Sequence, residues 1–211
     1  MVKPSPPSPA SPFRLGQALL KELMEPEGSG DKAIALIAEG ADVNAEDMHG
    51  LTCLALAARR GWADVTAALL QAGATTDYRN MDGWTPLLWA VTNGHIAVAE
   101  VLLAYKADVN AQNENSDTPL IMATLIDEEP LRLPMAKLLL QHGADVTIEG
   151  KHGQRAHESA IEQRDDAMTK LLQPLFERTQ PATSHRALQS ATTLGKNLRP
   201  LKPMKFKPPG Y

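Results

Sequence analysis

The chain has 211 residues, 43% hydrophobic but only 4% aromatic, and a formal net charge of −4, which suits one ordinary domain of closely packed helices and disfavours a β-sandwich. Its one cysteine, Cys53, excludes an internal disulfide framework and a paired-cysteine metal site, and fits a reducing compartment. The charge is uneven: residues 176–211 hold seven Lys and Arg and one acid, whereas residues 1–175 hold 14 basic and 24 acidic residues, so an acidic body carries a basic tail.

In chain order, residues 1–13, with the run KPSPPSPASPFR, are dense in proline and serine and are expected to be disordered, with polyproline II character. The start lacks the apolar run of a secretory signal, and no stretch approaches the roughly 18 apolar residues of a spanning helix. A soluble, cytoplasmic protein without a membrane span is expected, and delivery by a signal-independent secretion route stays open. LGQALLKELM and AIALIAEG then read as two helices separated by a turn, EPEGSG. From there the chain repeats itself: Thr52, Thr85 and Thr118 recur at equal intervals, within GLTCLALAARRGW, GWTPLLWAVTNGH and SDTPLIMATLIDE. Each block leads into a leucine-rich segment, VTAALLQAGA, VAEVLLAYKA and MAKLLLQHGA.

The repeated residues have physical reasons. Each threonine caps free N–H groups at a helix start, and the proline after Thr85 and Thr118 sits in a first turn, where its missing donor costs nothing. Ala57, Ala58, Ala90 and Ala123 let a first helix lie close to its neighbours, and Gly61 and Gly94 end it in the left-handed conformation. The leucine pairs at 69–70, 102–103 and 139–140 cannot be buried by one repeat, so neighbouring repeats must stack into a solenoid.

These blocks resemble the ankyrin repeat, whose pattern is close to G-x-T-P-L-H-x-A-A-x-x-G-H, then an L-L segment, then G-A-D-V-N. The resemblance covers residues 14–175 and implies an all-α solenoid of about five helix-turn-helix units with hairpin loops. The units are a capping unit at 14–47, full repeats at 48–80 and 81–113, a fourth at 114–150 and a degenerate closing unit at 151–175. The fourth is longer than the pattern, since the interval from Ala107 to Ala144 exceeds that from Ala74 to Ala107, and its extra length is placed in IDEEPLRLP, read as the turn between its helices. Cys53 stands in place of the proline, Trp62 of the usual histidine, Ser116 of the hairpin glycine and Lys106 of the glycine after the second helix. Lys106 is expected at φ > 0, at a cost of about 1 kcal/mol.

The resemblance implies a non-catalytic module that binds one or more proteins on the concave face formed by hairpin tips and first helices. Carried over by position, the contact residues are Met48, His49 and Leu51, then Met81, Asp82 and Trp84, then Glu114, Asn115 and Asp117 on the hairpins. On the first helices they are Arg59 and Arg60, Thr92 and Asn93, and Leu125 and Ile126. Trp84 is singled out as a solvent-facing anchor, since exposed Trp and Arg are enriched at binding hot spots, with Met48 and Met81 adding adaptable apolar contact. Trp89 occupies the position of Leu56 and Met122 and is expected in the core. An adaptor that recruits a second protein through its tails and an inhibitor of a partner enzyme are the rival readings.

No P-loop, G-x-S-x-G, H-E-x-x-H or paired-cysteine motif is present, so no catalytic residue, metal or cofactor is expected. His95 matches the family's structural histidine. Residues 176–211 are expected to be a disordered basic tail, too sparse in charge for a nucleic-acid site. Two proline motifs, Pro9-x-x-Pro12-x-Arg14 and Pro200-x-x-Pro203-x-Lys205, resemble SH3 ligands. A monomer is expected, because both end units look capped.

Overall fold

The computed structural model describes residues 11–179, without the side chain of His152. Within this span the chain makes five helix pairs: α1 (Pro12–Met24) with α2 (Gly30–Ala38), α3 (Cys53–Arg60) with α4 (Ala63–Gln71), α5 (Pro86–Thr92) with α6 (Ile96–Ala104), α7 (Pro119–Thr124) with α8 (Glu129–Gln141), and α9 (Ala156–Glu162) with α10 (Asp166–Thr179). Each first helix packs on the next first helix, and each second helix on the next second helix, so the units stack in two layers.

The layers differ in how much they bury. Every residue from Cys53 to Ala58, from Pro86 to Val91 and from Pro119 to Thr124 is buried, because each of these first helices lies between two neighbours and its own partner. Second helices bury one stripe, Val65 with Leu69, Val98 with Leu102 and Met135 with Leu139, at the four-residue spacing of one helix face. The predicted caps form: the hydroxyls of Thr52, Thr85 and Thr118 accept from the N–H groups of Ala55, Leu88 and Ile121 at 3.2, 3.3 and 3.3 Å. In the last unit Arg155 replaces the threonine, and its N–H is held instead by the Glu158 carboxylate at 2.8 Å.

The connections from each second helix to the next first helix, residues 39–52, 72–85, 105–118 and 142–155, fold back as fingers. A single isolated bridge, Glu46 to Thr52, is the only strand-like pairing among the described residues. Adjacent fingers are tied at one repeat position: Asn44 accepts from the N–H of Thr75 at 2.8 Å, Asp77 from Asp108 at 2.9 Å and Asn110 from Asp145 at 2.8 Å. The two expected glycine replacements adopt the left-handed backbone, Lys106 at φ 65° and Ser116 at φ 62°. His95 bonds through Nε2 to the Arg59 carbonyl at 3.1 Å, and the Trp89 side chain is buried.

The extra residues of the fourth unit are not a turn. They lengthen α8 to 13 residues, against nine in α4 and α6, adding one helical turn at its start. The two prolines of IDEEPLRLP suggested a break; Pro130 falls in the first turn, where no donor is needed, and Pro134 is exposed. The added turn brings the Leu131 side chain over Gly94, where a Cβ would meet its Cδ1 at 2.7 Å.

Helices also extend past both expected boundaries. Ser11 caps α1, which starts at Pro12 rather than 14, so Pro12 and Arg14 are helical and not in the extended form an SH3-type ligand needs. Pro9, Pro200, Pro203 and Lys205 lie outside the described residues. At the other end α10 runs to Thr179, because Phe176 is buried beneath His157, their rings stacked 4.1 Å apart. No helix among the described residues is long and apolar enough to cross a membrane.

Candidate interaction face

Each of the first three fingers is built around one side chain that sequence reasoning missed. Asp47 Oδ1 accepts from the N–H groups of His49 and Leu51, both at 2.8 Å. Asn80 does the same for Asp82 and Trp84 at 3.1 and 2.8 Å, and Asn113 for Asn115 and Asp117 at 2.9 and 3.0 Å. The signal was available: a short acid or amide recurs at one repeat position, as Asp47, Asn80 and Asn113, at the start of each turn, where such side chains bond their own backbone two residues on.

This bonding sets which way the following side chains point. The residue after the Asp or Asn stands at the tip: Met48 is 84% exposed, Met81 72% exposed, and Glu114 exposed. The fourth residue takes positive φ, and the fifth turns back towards the first helices. Leu51 and Trp84 occupy that fifth position and are only 1% and 3% exposed, while Asp117 is half-buried.

Trp84 is therefore not a solvent-facing anchor. Its ring packs on Trp89, with centroids 4.5 Å apart, and the Arg59 guanidinium lies over Trp89, 5.5 Å from the centroid. The alignment of Trp84 with Leu51 was the clue that this position is apolar and inward. Leu51 and Ile126 are corrected in the same way; Ile126 is buried, with Gly94 beside it and its carbonyl held by Arg132 Nε at 2.6 Å.

Arg60 is half-buried and committed to structure. Its guanidinium donates to the carbonyls of Leu23 and Pro26, each at 3.1 Å, and to that of Glu25, and it stacks on Trp62 at 4.2 Å. It thus supplies donors to the carbonyls where α1 ends, that of Glu25 being shared with the N–H of Gly28. Asn93 is exposed and donates to the Trp89 carbonyl at 2.8 Å, while Thr92 and Leu125 are half-buried.

The structure brings Met48, His49, Leu51, Arg59 and Arg60 together around one open groove of about 650 Å³. Its other wall is α1, with Leu20, Lys21, Leu23 and the exposed Met24, and Glu25, Glu46 and Asp47 also line it. Met81 lies against Gly50 on the neighbouring finger. Glu114, Asn115 and Asp117, on the third finger, and Leu125, at the end of α7, do not line the groove.

Burial, with Asp42 nearby, pushes the Cys53 thiol up to about 12, so it stays protonated, and burial pulls His157 below its ordinary value. No group of His, Cys, Asp and Glu among the described residues is placed to hold a metal ion.

Family models for ankyrin repeats match residues 23–113, as three copies, and residues 115–151. A comparison with curated proteins finds no match. The matches agree with the paired helices, the regular spacing and the fingers, and the chain belongs to the ankyrin-repeat family, whose members are in general protein–protein interaction modules.

Proposed function

We propose that this protein is a non-catalytic binding module whose partner protein lies on the face made by the fingers and the first helices, centred on the groove between the first two units. The observation that carries this reading is the exposure of Met24, Met48 and Met81 on one continuous rim, two of them on finger tips held by side-chain bonds. Methionine adapts to irregular apolar surfaces, and a pre-organised finger loses little entropy when a partner binds. His49, Arg59, Asp82, Thr92 and Asn93 supply polar contacts around that rim, and Glu114, Asn115, Asp117 and Leu125 extend it. Leu51, Trp84 and Ile126 form its packed base.

The test is affinity capture from the native extract with the full chain and with the Met48→Glu, Met81→Glu double variant, after matching thermal melts. A protein held by the first bait and lost by the second supports the reading. Capture that ignores the methionines but disappears with residues 180–211 would make the chain an adaptor, with the repeats as a spacer.

A further inference from the structure

The groove is open for a reason visible in the repeat itself. Leu51 and Leu56, which line it, stand one repeat period before Trp84 and Trp89. One unit further on, those two indoles pack against each other, tilted by 33°, and fill the equivalent space between finger and first helix. The first two units therefore present the same pocket with its aromatic filling reduced to two leucines. A side chain suited to it is aromatic, arriving from outside the stack.

The chain carries such a side chain. Residues 180–211 hold six Lys and Arg and no Asp or Glu. Near their end, RPLKPMKFKPPGY sets Phe206 between Lys205 and Lys207. The finger connections, which border the route to the groove, hold eleven acidic against four basic side chains. The groove lining itself is balanced, Lys21, Arg59 and Arg60 against Glu25, Glu46 and Asp47; the excess negative charge beside it comes from the first finger, 39–52, which holds four acidic side chains and no Lys or Arg.

We propose that the segment 199–211 of this chain docks in the groove between α1, α3 and the first finger, with Phe206 in the space that Trp84 and Trp89 fill one unit later. Lys202, Lys205 and Lys207 meet Glu25, Glu46 and the acids of the neighbouring finger. The path is long enough. In every other unit the second helix delivers the chain to the finger side, so α10 does the same at Thr179. Four helix-packing steps of about 8–10 Å put the groove roughly 40 Å away, and residues 180–206 span about 80 Å when extended at about 3.1 Å per residue. The tail then shields the groove until a partner with a better-fitting aromatic displaces it. That consequence rests on the partner reading above; the docking itself does not.

Docking is measured on the full chain with no partner present. A spin label is placed on Tyr211→Cys; Cys53 is buried and its thiol is pushed up to about 12, so the label goes to the introduced cysteine. Methionine methyl signals are compared with the label oxidised and reduced. Met204, close in sequence, reports that the label is active. Met24 and Met48 are expected to lose most of their intensity while Met135 and Met168, in the fourth and fifth units, keep theirs. Phe206→Ala, or reversal of Lys202, Lys205 and Lys207 to Glu, should restore both signals. Unaltered Met24 and Met48 signals overturn the proposal, and so does a loss that survives both variants. Loss seen only when a label-free, methyl-labelled chain is mixed with spin-labelled chains would assign the groove to a second copy and overturn it too. Because no partner enters, the tail can fail this test while the face still captures its protein.

Discussion

At the first two fingers, residues three positions apart meet opposite fates. Met48 and Met81 stand in solvent at the tips, while Leu51 and Trp84 are buried at the inward rung. All four are apolar, so residue type does not decide exposure here. The decision lies in the turn: one Asp or Asn side chain gathers two N–H groups, the fourth residue goes left-handed, and the fifth is aimed at the first helices. The lesson for reading such repeats is that position within the turn outranks a residue's reputation as a hot spot.

The sharpest way to break this comparison is Trp84→Ala. Loss of a large buried aromatic is expected to cost about 3–5 kcal/mol, read from the denaturant midpoint of the stack; a loss below about 1 kcal/mol, the range of surface positions, would return Trp84 to the surface. Next comes Asn80→Ala, which leaves the N–H groups of Asp82 and Trp84 without their acceptor and should cost about 2 kcal/mol. Asn80→Asp should keep most of that stability, since Asp47 performs the same task one finger earlier.

A smaller effect of opposite sign is expected at the strained backbone. Lys106→Gly relieves a side chain held at φ 65° and should stabilise the protein by about 1 kcal/mol, seen as a raised melting temperature. The smallest change belongs to the tips. Met81→Ser is expected to shift stability by no more than about 0.5 kcal/mol, while partner capture falls; a tip that proves costly to the fold would contradict the division between tip and rung.

Much of the fold was legible in the sequence because it depends on local rules repeated at fixed spacing. Thr52, Thr85 and Thr118 cap as any N-cap threonine does. Lys106 and Ser116 take positive φ because the turn requires it whatever residue is there. The site was less legible. Arg59 and Arg60 look like one exposed charged pair, yet Arg60 closes the end of α1 from far away in sequence, on the carbonyls of Leu23, Glu25 and Pro26. IDEEPLRLP reads as a loop through its prolines, but the tertiary structure offers Leu131 a seat over Gly94, and that contact extends the helix.

The sequence by itself determined the repeat length, the helix pairs, their caps and the acidic body with its basic tail, since these follow from period, propensity and charge along the chain. Only the tertiary structure decided that Trp84 packs on Trp89, that Arg60 ties the first two units, and that the groove stays open where Leu51 and Leu56 replace that tryptophan pair. Those outcomes depend on which side chains from different repeats are brought face to face, and a residue's burial is a property of that meeting.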